Sequence, residues 1–235
     1  MSKQSNRGKE AKDDFFFGSL KFKETIKEAL ADMNYLLTRG YSEKNALAVV
    51  GTRYKLASRQ QKAVQGMSAS NEQLAIRKNK EIPLDTLENK ILIIDGFNIL
   101  ILLESTLSNA YIFKGQDDCY RDLSSVHGNY KTVNQTDKAI DLVLLFYNES
   151  KLHQLVWIFD KPVSNSGRIK AKIEGKAKEQ NANWKVILGD NADEAIVNTN
   201  EIVASSDGIV LDKAVNWFNL ATYLIETKIE SKTVF

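Results

Sequence analysis

The chain has 235 residues, 43% hydrophobic and 9% aromatic, with two prolines and twelve glycines; this allows one core plus a smaller appended unit and excludes a low-complexity or disordered polymer. The single cysteine, Cys119, excludes an internal disulfide framework and a cysteine-built zinc cluster, and the two histidines, His127 and His153, stand apart. The net charge of +2 hides an asymmetry: residues 1–80 hold 16 of the 32 basic and 8 of the 30 acidic residues, so a basic front (+8) precedes an acidic back (−6).

Residues 1–14 are polar and lack the apolar core of a signal peptide, so residues 1–19 are expected as a flexible tail. No apolar run approaches the ~18–20 residues that span a bilayer, and a soluble cytoplasmic protein is expected. Over 20–38, Phe22, Ile26, Ala29, Leu30, Met33, Leu36 and Leu37 fall on one helical face. Gly40 supplies the left-handed end of that helix, and Ser42 caps a second over 43–50 that stops at Gly51. Ser58 with Gln61, and Ser70 with Gln73, carry capping-box spacing for two more helices. Residues 20–82 are therefore expected as an all-helical basic unit, with Arg53, Lys55, Arg59 and Lys62 as candidate nucleic-acid contacts beside Tyr54. The blander reading is a helical cap packed on the next unit through Phe22, Ile26, Leu30, Leu36 and Leu47. The break between the second and third helices is too long for a helix-turn-helix.

Pro83 marks a linker, after which strands alternate with helices. Strands are expected at 91–95, 155–160, 184–188 and 201–207, with helices over 137–148, 167–179, 193–198 and 213–227. The first two strands are apolar on both faces, as in the middle of a parallel sheet. Residues 88–230 are thus expected to form a three-layer α/β domain with a parallel sheet. Residues 104–135 read as a hairpin or a long functional loop.

Asp95, Asp160 and Asp207 each end a strand, and Asp193 follows one. In an open parallel sheet these ends lie side by side, where ligands bind. Four carboxylates gathered there repel one another unless a cation intervenes, and Mg²⁺, which takes oxygen ligands from carboxylates, water and substrate phosphates, is the natural one. The alternative for any one acid is an ordinary helix cap or turn, and Asp193, placed before a short helix, is the most open to it.

These residues resemble the PIN/NYN group of metal-dependent ribonucleases: DGFN after an apolar strand (95–98), an aspartate closing a second strand, N-x-D before a short helix (191–193), and SSD after a late strand (205–207). RGYSEKNALAVVGTRYKLASRQ (39–60) and DKPVSNSG (160–167) are similar to a two-part bacterial and archaeal family with an RGY helical segment and a PIN-like domain. The resemblance implies a PIN-like fold, Mg²⁺ or Mn²⁺ as cofactor, RNA as partner, and metal-ligand or catalytic roles for Asp95, Asp160, Asp193 and Asp207, with Asn98 as the polar residue that follows the first acid.

In DKPVSNSG, Ser164, Asn165, Ser166 and Gly167 open a helix that carries Arg168, a candidate phosphate site strengthened by the helix dipole; the alternative is a capped surface helix with solvated lysines. No GxxxxGK[ST] and no GxGxxG is present. Arg121 is a candidate phosphate clamp and Asp122 a candidate extra acid, against the commoner surface ion pair. Glu104 is a candidate fifth acid against the commoner reading of a residue in solvent, and His127 a candidate proton shuttle against a loop histidine without a role. The leading expectation is a metal-dependent nuclease acting on RNA. The alternative is a PIN-like module that holds RNA or a nucleotide without cutting, and a third class is a small-molecule phosphatase or phosphotransferase indifferent to the loss of residues 1–80.

Overall fold

The structure is a computed structural model that describes residues 7–124 and 130–230. Helices α1 (Asp13–Phe17), α2 (Leu20–Thr38), α3 (Glu43–Arg53), α4 (Ser58–Met67) and α5 (Asn71–Lys80) build the N-terminal unit. Ser19, Ser42 and Ser70 each accept from the backbone N–H three residues on, which satisfies an orphan donor at the starts of α2, α3 and α5. Gln73 returns the bond to Ser70 at 3.0 Å and completes the expected box. For α4 the expectation is off by one: Ala57 is the N-cap residue, and Gln60 accepts from its N–H. The chain also continues helical through Gly51, because that glycine is buried against the Gln61 side chain, where a Cβ would meet Cδ at 2.9 Å.

The expected tail is structured from residue 7 onward. Arg7 pairs with Glu104, Asp13 is fully buried against Arg59, and Phe17 packs on Phe22, Tyr111 and Phe113. Composition hid this, since the segment is held by ion pairs to distant residues. Residues 1–6 lie outside the described residues.

After a 3-10 turn at Leu84–Leu87 come β1 (Ile91–Asp95), α6 (Gly96–Leu107), β2 (Phe113–Lys114), β3 (Tyr120–Arg121), α7 (Thr136–Ser150), β4 (Gln154–Asp160), α8 (Ser166–Glu179), β5 (Trp184–Gly189), α9 (Ala192–Val197), β6 (Ile202–Ala204), α10 (Gly208–Lys213), β7 (Asn216–Trp217) and α11 (Leu220–Lys228). Five strands form a parallel sheet in the order β5-β4-β1-β6-β7. β2 and β3 pair antiparallel, the hairpin rather than the long-loop alternative for this part of residues 104–135. The fold is therefore three-layer α/β with a helical N-terminal unit.

Strand alternation sorts the apolar residues to both faces. Leu92, Ile94, Leu155, Trp157 and Phe159 face a large core with α6, α7, α8 and α11. Ile93, Val156 and Ile158 face a smaller one with α9 and α10. A third cluster joins α1–α4 to Phe113 and Leu123, so the N-terminal unit is packed on the sheet domain. No helix among the described residues is long and apolar enough to cross a membrane.

Gly96 shows how tightly β1 hands over to α6. A Cβ there would lie 2.5 Å from two Phe159 ring carbons and 2.7 Å from the Ile158 carbonyl oxygen. Phe159 is itself stacked on Trp157 and edge-on to Phe97, so it has no room to retreat. Gly96→Ala is expected to destabilise by about 1–3 kcal/mol through overpacking, read as a lower urea midpoint at unchanged m-value.

Candidate active site

The strand order reverses between β1 and β6, and the crevice at such a point is where parallel sheets bind ligands. Asp95 arrives there on β1, Asp160 on β4, Asp193 in the first turn of α9, and Asp207 in the turn after β6. All four line one cleft of about 1050 Å³, together with Asn98. The opposite wall comes from the helical unit, including Leu37, Tyr41, Glu43, Lys62 and Gln65.

Each acid is held by its neighbours. Asp95 is buried, and its Oδ2 accepts from Ser205 Oγ at 2.6 Å, a contact between residues 110 positions apart. Ser205 Oγ in turn accepts from the Asp207 N–H at 3.0 Å. Asp207 Oδ1 caps α10 by accepting from Ile209 N at 2.7 Å and Val210 N at 3.3 Å. Asp160 Oδ1 accepts from Ala192 N at 3.0 Å. Asp193 is not the cap of α9: Asn191 performs that role, leaving Asp193 exposed in the first turn. Asn98 Oδ1 accepts from the Ser206 N–H at 2.7 Å and so fixes the β6–α10 turn against α6.

The carboxylates feel one another. Burial pushes the Asp95 carboxyl up to about 7, the Ser205 hydrogen bond opposes this, and the charges of Asp193 and Asp207 add to it. Asp193 is also raised, first by desolvation and then by Asp207 and Asp160, with Lys213 acting the other way. Among the described residues no three His, Cys, Asp or Glu side chains come together closely enough to form a ready-made cage for a metal ion. The donor set is all oxygen, crowded and under-neutralised. It fits a hard ion held by one or two carboxylates, with water and substrate phosphate completing the shell, rather than a protein-only site.

The other candidates are placed differently. Arg121 lines the cleft, but its fork grips Asp117 at 2.8 and 2.6 Å and its Nε donates to the Ser206 carbonyl at 2.8 Å. It is a bracket of the turn, and its ion-pair partner is Asp117 rather than Asp122. Asp122 accepts from Ser105 Oγ and Ser124 N, and burial pushes its carboxyl up to about 6. Glu104, expected in solvent, is fully buried, with Arg7, Tyr130 and Thr136 around it. His127 lies outside the described residues.

Ser164, Asn165, Ser166, Gly167 and Arg168 do not line the cleft, although Val163 does. Asn165 is left-handed (φ 69°) and donates to the Tyr130 carbonyl at 2.6 Å, while Ser166 Oγ turns back to the Lys161 carbonyl at 3.1 Å. These groups shape the turn. The α8 lysines Lys172 and Lys176 pair with Asp137 and Asp141 of α7. Of the four expected nucleic-acid contacts, Lys62 alone lines the cleft. Arg53 is exposed over Tyr54, and Lys55 is exposed at a left-handed turn. Arg59 is half-buried and bonded to Asp13, Glu10 and the Gly8 carbonyl, so it is a strut rather than a free cation.

Sequence reasoning missed Ser205, Ser206, Lys213, Arg77 and Asp117. The serines were visible only as letters in SSD, and the Arg77–Asp117 pair has no local pattern to betray it.

No solved structure matches the chain. The protein of Methanocaldococcus jannaschii named "Uncharacterized protein MJ0935" is 33% identical over 187 residues, which cover 80% of this chain and 89% of that protein. Residues 25–80 match a family described as "Protein of unknown function (DUF434)". That boundary separates the helical unit from the sheet domain, where residues 84–223 match "Domain of unknown function (DUF5616)". With more than half of its length matched, the chain belongs to the DUF5616 family.

Proposed function

We propose that this protein is a metal-dependent phosphodiesterase that hydrolyses RNA on a PIN-like α/β scaffold. The observation that carries the reading is the meeting in one cleft of Asp95 and Asp160, from two strand ends, with Asp193 and Asp207, from the segments that follow two others. Asp95 is aimed by a buried strand and steadied by Ser205. Asn98 steadies the turn that bears Asp207. Lys62 on the facing wall offers a phosphate contact. Mg²⁺ or Mn²⁺, held by one or two of Asp95, Asp160, Asp193 and Asp207 with water and substrate phosphate completing its shell, would supply Lewis acidity and an activated water at neutral pH. The exposed Arg53, Lys55 and Arg168 are outlying contacts for the RNA backbone.

The test is cleavage of a mixed RNA pool with Mn²⁺. Asp95→Asn is expected to reduce it by ~10²–10³-fold, the scale lost with one transition-state electrostatic contact, while circular dichroism stays unchanged. Cleavage surviving in that variant would remove the proposal. A second reading, a binding module that does not cut, is favoured by the lack of a preformed cage among the described residues. It predicts RNA binding that weakens as salt rises, with no cleavage under any divalent ion.

A further inference from the structure

We infer that Ser206 contacts the ligand of this cleft, its hydroxyl donating to an oxygen of a bound phosphoryl group. Ser206 lies in the β6–α10 turn, is 2% exposed, and borders the cleft beside Asp95, Asn98 and Asp207. Its backbone is fixed on both sides. The N–H donates to Asn98 Oδ1 at 2.7 Å, and the carbonyl accepts from Arg121 Nε at 2.8 Å. Arg121 is anchored on Asp117, which also accepts from Arg77 Nη1 at 2.6 Å. Arg77 Nη2 then reaches the Gly208 carbonyl at 3.3 Å. The two arginines thus clasp the turn on either side of Asp207, one of them from the helical unit.

Within this pinned turn, Ser206 Oγ has no hydrogen-bond partner among the described residues. Its neighbour Ser205 uses its hydroxyl twice, toward Asp95 and from Asp207. A buried hydroxyl left unpaired carries a desolvation penalty that native folds almost always relieve. With no partner among the described residues, the partner we infer is an oxygen that enters the cleft. Its class follows from the setting. A hard ion on these carboxylates completes its shell with phosphate oxygens, which brings a phosphoryl oxygen beside Ser206. The choice of a phosphoryl group rests on the nuclease reading; the vacant hydroxyl does not.

The experiment titrates inorganic phosphate into wild type and Ser206→Ala by calorimetry, with and without Mn²⁺, after Mn²⁺ affinity has been measured for both. The expected result is phosphate binding weakened about tenfold in the variant, the effect of losing one hydrogen bond to a charged group, with Mn²⁺ affinity unchanged. The ligand-free variant is expected to melt at the same temperature as wild type or higher, because no internal bond is lost. Equal phosphate affinities under both conditions, absence of phosphate binding included, would overturn the inference, as would a Ser206→Ala protein that melts lower. Absence of Mn²⁺ binding by wild type would count against the nuclease reading instead, and a phosphate difference without metal would still uphold Ser206.

Discussion

Arg77→Met is expected to cost about 3 kcal/mol or more, the scale of breaking a buried ion pair by removing one partner. Arg77 is 5% exposed and sits where α5 meets the sheet domain. Its guanidinium donates to Asp117 and Asp212, each at 2.6 Å, and to the Gly208 carbonyl. Methionine keeps most of the stem packing but leaves Asp117, buried with Arg121, short of one of its two cations. Burial works to raise the Asp117 pKa, but the hydrogen bonds and charges of Arg121 and Arg77 outweigh it and hold the carboxyl below its usual range. A group with a depressed folded value contributes stability above its unfolded pKa and loses it as pH falls through the folded one. The gap between wild type and Arg77→Met is therefore expected to be widest near neutral pH and to narrow below about pH 4. Urea unfolding at pH 7 and pH 3.5 reads both effects. A loss under about 1 kcal/mol at pH 7 would mean the pair behaves like a surface ion pair. Because Arg77 grips the turn around Asp207, the proposed nuclease reading adds that the variant cuts RNA less well than its residual stability accounts for.

The same residues show what a sequence exposes and what it conceals. β1 is legible with its observed bounds because four consecutive apolar residues, 91–94, lead into an aspartate, a local signal. The late strand was expected to run to Asp207 but leaves the sheet after Ala204. There Ser205 turns to bond Asp95, and no pattern within 201–207 records a partner on β1. α6 was missed for the opposite reason: residues 97 and 99–106 are buried on every side, so it lacks the polar face that reveals a helix. β7 was absorbed into an expected helix, since its two residues are extended only because Val203 and Glu81 flank them. The acids were legible as candidates because each ends or follows an apolar run. Their shared cleft depended on the parallel order of the sheet, and that order held. The phosphate turn failed as a cleft element because Asn165 and Ser166 use their side chains on nearby carbonyls, a choice fixed by Tyr130 from outside the motif. The basic front proved to be partly structural: Arg59 and Arg77 bind acids of this chain, which leaves Lys62 facing the cleft.

Asp95→Asn carries the second large effect, and it is a gain of stability. The Asp95 carboxyl is pushed up to about 7 from an ordinary value of 3.8 by burial, with Asp193 and Asp207 adding to it. The folded protein therefore keeps a proton between about pH 4 and pH 7 that the unfolded chain has released. Stability from this group is full below the unfolded pKa, falls as pH rises through the folded one, and is flat above it. A three-unit shift sets the ceiling at about 4 kcal/mol. Asparagine removes the buried charge, and its amide oxygen still accepts from Ser205, so the metal-free variant is expected to be about 2–4 kcal/mol more stable at pH 8. The advantage should shrink toward zero near pH 4. Adding Mn²⁺ should close the gap from the other side, since an ion that binds only the folded wild type stabilises it by mass action. Unfolding at pH 4 and pH 8, with and without Mn²⁺, separates the outcomes. If the variant is no more stable at pH 8 and Mn²⁺ leaves wild type unmoved, Asp95 is neither desolvated nor a ligand, and the acidic edge is only a set of caps and turns.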